Sequence, residues 1–304
     1  MKRYLFLFMA CLVFLLAACG NNDSKDSKDS SDSKEVTYTD QDGNKIKVPN
    51  KPKRIVDLTA SYGNFKKLGV EPIAITNVYP DSKFLKQDDI KKVDPEDPEA
   101  VAKLKPDLII AYAENKNINK LKKIAPTVSF RVKDLTYKDM HEDIGKLVGK
   151  EDDAKQQIKD LDKKMKDDGK EVKEKLGEDN TYTIMDIQPK LMYLFGPGFG
   201  RGSDVIYNGY GLKQDPDAKK DIPKERYMEV SQEDFQKYTG DYLLVPTQDG
   251  KAPNNAFTKS NVWKNTDAIK NDHVIYYSIN EFLYSDPISL EKQSDFFKKE
   301  LLNK

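Results

Sequence analysis

The sequence predicts an α/β protein of two lobes joined by one long helix. Three observations carry this. Residues Glu151–Leu176 form an uninterrupted amphipathic stretch, and strand and helix patterns alternate both before it and after it. Within the stretch, Ala154, Ile158, Leu161, Met165, Val172 and Leu176 recur at spacings of three, four or seven, one apolar stripe on a 3.6-residue period. Nearly every other position is Lys, Asp, Glu or Gln. At ~1.5 Å per residue the helix would be a rod of roughly 39 Å, the width of a small domain. Gly149 and Gly177 suit its ends. The competing reading is an ordinary amphipathic surface helix; the mixed patterns on both sides favour an interlobe spine.

The chain has 304 residues, 38% hydrophobic and 34% charged, which fits one or two surface-rich soluble domains. Met1-Lys2-Arg3 is a basic start, and Tyr4–Leu16 is an apolar run too short for the ~20 residues that span a bilayer. Leu16-Ala17-Ala18-Cys19 then matches the lipobox of bacterial lipoproteins: small residues before the cleavage point and a thiol to carry diacylglycerol. Residues 1–18 are therefore expected to be a signal peptide and Cys19 the lipidated residue. Two acyl chains there would anchor the protein stably to a membrane face. Removing residues 1–18 takes away Lys2 and Arg3, leaving 49 basic and 51 acidic groups, a net of −2. The lysines are dispersed among acids, so nothing points to nucleic acid. Both cysteines, Cys11 and Cys19, fall in the leader, so the folded part has neither disulfide nor thiolate ligand. Residues 20–35, all Ser, Asp, Lys, Asn, Gly and Glu, cannot bury a core. Residues 19–35 are expected to be a disordered tether.

The first lobe is assigned to residues 36–149. Val36–Thr39 and Ile46–Val48 flank Asp42-Gly43 as a hairpin. Strands are expected near 54–58, 72–76, 105–112 and 126–130, with helices at 61–68, 98–104, 117–124 and 137–148. This alternation predicts a mainly parallel sheet. The connecting helix takes 150–177, and the second lobe 178–304. There, strands are expected at 181–187, 191–195, 242–245 and 273–278, with helices at 203–210, 231–238 and 289–302 and a helical turn at 261–263.

The loop Gly196-Pro197-Gly198-Phe199-Gly200-Arg201-Gly202 fits neither a dinucleotide fingerprint nor a Walker motif. It is read either as a flexible turn or as a backbone kept slim so that Phe199 and Arg201 reach a ligand. Arg201 precedes a predicted helix start, beside free N–H donors. Arginine is scarce, five in all against abundant lysine, so each hints that fork geometry matters. No nucleophile set stands out, and two histidines without an E-x-x-H pattern do not make a zinc site. His273 is expected to pack without function, His141 to face solvent, and Trp263 to lie in the core. Among 16 Tyr and 13 Phe, Tyr62, Tyr112, Tyr193, Phe282 and Tyr284 lie at or beyond strand ends, where α/β sheets form their crevice.

The lipobox, the acidic tether, the V-T-Y-T-D-x-x-G hairpin, K-P-K-R-I-V, K-P-D-L-I-I, A-P-T-V, the long helix and V-W-K-N-T-D-A-I-K-N-D-H-V together resemble the siderophore-binding lipoproteins of Gram-positive iron-import ABC transporters. The likeness runs from Val36 to the C-terminus. Gly200-Arg201-Gly202 and the Leu-x-Tyr-x-x-Gly pattern of Leu191–Gly196 bring it nearest to the ferric hydroxamate binders. The resemblance implies two Rossmann-like lobes of the class III periplasmic-binding-protein type, with small hinge closure about a stiff helix. It implies that Arg201 hydrogen-bonds hydroxamate oxygens and that Tyr193 and Phe199 pack the siderophore. Iron(III) would be held by the siderophore alone, with no cofactor and no protein metal ligand. It also implies a monomeric, non-enzymatic protein on the outer membrane face, and one permease-docking glutamate per lobe, matching Glu99 and Glu229. The sequence departs from close hydroxamate binders at Phe199 and Leu283, where they carry Trp. A ferric hydroxamate carries little net charge, so one Arg and aromatic rings suffice, whereas a catecholate or citrate-type complex asks for clustered cations. The alternatives are another cargo (haem, cobalamin, a catecholate or carboxylate siderophore), an anchored extracellular hydrolase, and a structural surface lipoprotein.

Overall fold

The structure is a computed structural model that describes residues 34–41, 43–131 and 135–304. The expected signal peptide, Cys19, the tether to residue 33 and the hairpin residue Asp42 lie outside the described residues.

In chain order the elements begin with β1 (Glu35–Thr39), β2 (Lys45–Pro49), β3 (Ile55–Asp57), α1 (Tyr62–Lys67), β4 (Ala74–Thr76) and β5 (Lys92–Val93). Then come α2 (Pro98–Lys103), β6 (Leu108–Tyr112), α3 (Ile118–Leu121), β7 (Thr127–Phe130), α4 (Tyr137–Leu147) and α5 (Glu151–Leu176). The second half runs β8 (Thr181–Ile187), β9 (Met192–Phe195), β10 (Lys213–Gln214), α6 (Pro216–Asp221), β11 (Tyr227–Val230) and β12 (Tyr242–Thr247). It closes with α7 (Asn261–Lys264), α8 (Asp267–Lys270), β13 (Val274–Ser278), α9 (Ile279–Phe282) and α10 (Pro287–Leu302).

The first sheet has the order β5-β4-β3-β6-β7, and every pair is parallel. Its strands are apolar on both faces, as a sheet covered on both sides requires. Ile55, Leu108 and Ile110 join one cluster with Ile144 and Leu147 of α4, while Val56, Ile109 and Ala111 join another with Val101 and Leu121. The second sheet runs β11-β9-β8-β12-β13, with β10 beside β8. It is mixed: β8, β12 and β13 are parallel, β9 pairs antiparallel with β8, and β11 pairs antiparallel with β9 at the edge.

Helix α5 spans Glu151–Leu176. Its stripe serves two cores. Ala154 belongs to the first lobe's cluster; Leu161, Met165 and Val172 belong to the second's. The one glycine of the helix, Gly169, sits where the backbone of Tyr210 presses against it, and a Cβ there would overlap that backbone. On the second lobe's side, Asp168 of α5 is held by Lys164, Lys298 and the Ser294 hydroxyl, which ties α5 to α10.

A second junction joins the lobes away from α5. Gly63 of α1 meets Asp286, the buried residue that caps α10 by accepting from the N–H groups of Ile288 and Ser289 at 3.0 Å each. Lys67 pairs with Glu291 at 3.1 Å, and the Tyr284 hydroxyl donates to the Pro80 carbonyl. Helix α5 and this packed seam therefore both connect the lobes.

The helix expected at 203–210 is present at Asp204–Gly209 and winds as a π-helix. Two local expectations are corrected. Only 235–238 of the helix expected at 231–238 is helical, as a 3₁₀ turn, and strand β11 lies just before it. His141 does not face solvent: it is fully buried between Asn64 of α1 and Gln157 of α5, at 3.1 and 2.8 Å. Burial holds its imidazole below the ordinary value, so it favours the neutral form, and the two amides supply its hydrogen bonds.

Candidate functional site

A cavity of about 270 Å³ opens between the lobes, where the C-terminal ends of the first sheet's strands face the glycine loop of the second. That is at the small end of ligand pockets, so an occupant of siderophore size would stand partly exposed.

The first lobe supplies a polar and aromatic wall. Ser61 and Asn64 come from the start of α1, Tyr112 from the end of β6, and Tyr137 and Met140 from the first turn of α4. The Tyr112 hydroxyl accepts from the Ala60 N–H at 3.1 Å, and the Tyr137 hydroxyl donates to Asp162 of α5. Burial lifts both hydroxyls well above the usual phenol value, so they stay neutral. Asn64 ties the wall to His141 and through it to α5.

The second lobe supplies the cations. Gly198, Gly200 and Gly202 have φ of +78°, +82° and +84°, and Arg201 between them has φ +55°. At Gly202 a Cβ would lie 2.5 Å from the Phe297 ring, so only glycine lets the loop close on the core. The Tyr277 hydroxyl, itself buried, donates to the Arg201 carbonyl at 2.8 Å and fixes the strained turn. The guanidinium lies 4.7 Å from the Phe195 ring centroid and 5.1 Å from that of Phe199, rings that stack at 5.1 Å. Burial pushes Arg201 below its ordinary value and Asp186 pulls it back; the group remains a cation. Its Nε is buried and has no hydrogen-bond partner. A buried cationic donor is costly to leave unpaired, and because Arg201 lines the cavity and its guanidinium makes no hydrogen bond or ion pair among the described residues, the group is free to meet an oxygen acceptor there.

Of the residues expected at the site, Arg201, Phe199, Tyr112 and Tyr284 line this cavity. Two are corrected. Phe282 is 2% exposed and packs at 4.4–5.3 Å on Tyr277, Phe296 and Phe297, because the short helix α9 turns it inward and presents Leu283 and Tyr284 to the cleft instead. Tyr62 is buried behind the wall, its hydroxyl donating to Glu71 at 3.0 Å; one helical step sends Ser61 and Asn64 to the cavity and Tyr62 away from it. Tyr193 is half-buried on β9, opposite Asp186 and Glu229, and is not among the lining residues. Glu99 and Glu229 are both exposed, on α2 and β11. The sequence reading did not select Ser61, Asn64, Tyr79, Tyr137 or Arg226. For Arg226 the scarcity of arginine was the available signal.

Asp57, at the end of β3, is fully buried beside this wall. It accepts from the N–H and hydroxyl of Thr59 at 2.9 and 2.6 Å, while its Oδ2 has no partner. Burial raises its pKa to about 6 against the pull of those hydrogen bonds. A raised folded value means that Asp57 contributes stability below the unfolded pKa and loses it as pH rises through about 6. The Asp57→Asn variant is therefore expected to gain on the wild type by roughly 2 kcal/mol between about pH 4 and pH 7.5 in urea melts. A constant difference across that range would contradict it.

Comparison with known proteins bears on this geometry. Residues 60–279 match the family described as periplasmic binding protein. The chain is 36% identical to the iron(3+)-hydroxamate-binding protein FhuD of Bacillus subtilis over 97% of its own length and 96% of that protein's. It is 32% identical to the iron(3+)-hydroxamate-binding protein YxeB of the same organism, over 96% and 94% of the two chains. Among solved structures, FhuD2 of Staphylococcus aureus with bound ferrioxamine B superposes with a TM-score of 0.78 at 37% identity, covering 83% of this chain and 99% of that one. Among the described residues no helix is long and apolar enough to cross a membrane, and no three His, Cys, Asp or Glu side chains gather where they could hold a metal ion.

Proposed function

The chain belongs to the periplasmic binding protein family, and from that premise we propose that it captures a ferric hydroxamate siderophore and delivers it to an ABC importer. The observation that carries this reading is the Arg201 guanidinium, held on two stacked rings at the cleft with a buried Nε that nothing in the protein satisfies. Hydroxamate oxygens around iron(III) are acceptors of the required kind. The siderophore supplies all the metal's ligands; the protein supplies a cation, neutral phenols and apolar contact. Scavenging at nanomolar concentration needs about 12 kcal/mol of binding free energy, and a largely preformed cleft keeps the cost of ordering low.

The role is binding rather than catalytic. The leader sequence supports anchoring through Cys19 at the outer face of the membrane. Calorimetric titration with ferrioxamine B, ferrichrome, haem and ferric citrate side by side tests the cargo. Tight binding of the two hydroxamates is expected. Tight binding of haem alone, or of nothing, would reject the reading.

Glu99 and Glu229, exposed in different lobes, fit a role as docking charges for arginines of a permease. Replacing both with Ala is expected to leave siderophore affinity within about twofold and to cut cellular uptake severalfold, since rim charges govern partner recognition rather than a distant cleft. Undiminished uptake would remove them from docking.

A further inference from the structure

The cleft contains a second arginine. Arg226 lines the same wall as Arg201, and none of the lining residues is an acid. Both arginines hold positive φ, +55° and +68°, in a chain where only three other described non-glycine residues do: Lys86, Lys105 and Asp272. Such a backbone is strained for a side chain with a Cβ and persists where the surroundings hold it. At Arg226 they do: its N–H donates to the Pro223 carbonyl at 2.9 Å, and its carbonyl accepts from the Gly196 N–H at 2.8 Å. The backbone is pinned at both sides while the guanidinium stays unused, making no hydrogen bond or ion pair among the described residues. It lies across the glycine loop, where a Cβ at Gly198 would stand 3.0 Å from its Nη1. The nearest acid by electrostatic influence, Asp204, is buried and already occupied by the Ser285 hydroxyl at 2.9 Å and Asn208.

One cation is enough for a ferric hydroxamate core of little net charge. A second one, half-buried, unpaired and on the same wall, calls for an anion of the ligand's own. We propose that Arg226 forms a carboxylate subsite at the edge of the cleft, and that the preferred cargo is a ferric hydroxamate carrying a carboxylate arm. The planar fork of arginine matches a carboxylate with two parallel hydrogen bonds. The small cavity leaves part of a siderophore outside, so an arm can run from the iron centre at Arg201 towards Arg226. This rests on reading the cleft as a siderophore site.

The test uses three forms of one ligand: ferrioxamine B with its free cationic amine, its neutral N-acetyl derivative and its N-succinyl derivative, which ends in a carboxylate. Each is titrated into the wild-type chain and into Arg226→Gln and Arg226→Lys. The wild type is expected to bind the succinyl form roughly 10-fold more tightly than the acetyl form, the effect of one charge-assisted hydrogen bond, and the amine form least. Arg226→Gln should bring all three within about twofold of the wild type's acetyl affinity, and Arg226→Lys should retain part of the preference. Equal binding of the three forms by the wild type would overturn the subsite while leaving the siderophore reading intact. So would an Arg226→Gln variant that weakens all three alike, which would make Arg226 a brace for the loop. Failure of all three to bind would overturn the siderophore reading itself.

Discussion

Arg201→Ala is expected to weaken ferric hydroxamate binding by about 10- to 150-fold, or 1.5–3 kcal/mol, the worth of charge-assisted hydrogen bonds. In the ligand-free protein the guanidinium has ring contacts with Phe195 and Phe199 but leaves Nε unpaired. Removing it therefore costs the fold little and the complex much. The thermal midpoint of the variant should stay within a few degrees of the wild type, which separates lost recognition from lost folding. Arg201→Lys is expected to recover only part of the affinity, because an ammonium keeps the charge without the flat fork that stacks on the two rings. Unchanged affinity in Arg201→Ala would take this residue out of the site.

Gly63→Ala is expected to destabilise the protein by about 2–4 kcal/mol, combining an overpacked contact with a disturbed helix cap. A Cβ at Gly63 would overlap the carboxyl group of Asp286. That carboxylate cannot simply step aside: Asp286 is buried, and it caps α10 through Ile288 and Ser289, whose hydroxyl also donates to it at 2.7 Å. Either α1 moves away from α10, opening the seam between the lobes, or the cap is lost. Ala at an exposed helical position would instead gain about 1 kcal/mol over Gly, so the sign alone is informative. The measurement is the urea midpoint; no decrease would show that the seam yields freely.

The long helix was legible because nothing interrupts its stripe: no proline occurs, and six apolar residues keep the 3.6-residue phase from Ala154 to Leu176. The parallel sheet of the first lobe was legible for a related reason, since strands such as Leu108–Tyr112 are apolar on both faces. Strand β11 was not. Tyr227 and Glu229 are exposed and the strand sits at the sheet edge, so its short pattern carries one buried residue, Val230. The Pro216–Asp221 helix was missed although Asp215 and Pro216 are a good capping pair, because it buries only Ala218. His141 was misjudged by residue type. Its spacing from Tyr137 and Ile144 puts it on the buried face of α4, and periodicity outranked polarity there.

Within the site, the glycine loop and Arg201 could be found from composition: Gly at alternate positions and one rare cation among them. The facing wall could not. Tyr79 and Tyr284 meet from opposite lobes at a ring distance of 6.4 Å, and no local pattern encodes that encounter. Phe282 and Leu283 show the same limit at finer scale. Both end a short helix, and which of the two turns inward is decided by Tyr277, Phe296 and Phe297.

The central claim, that Arg201 offers its guanidinium to the oxygens of a siderophore lying between the lobes, is tested most directly by a crystal structure with ferrioxamine B and an anomalous map at the iron edge. One iron peak is expected in the cleft, facing Tyr112 on one side, with an Arg201 nitrogen about 3 Å from a hydroxamate oxygen. An iron peak elsewhere on the surface, or a cleft occupant that leaves Arg201 untouched, would contradict it.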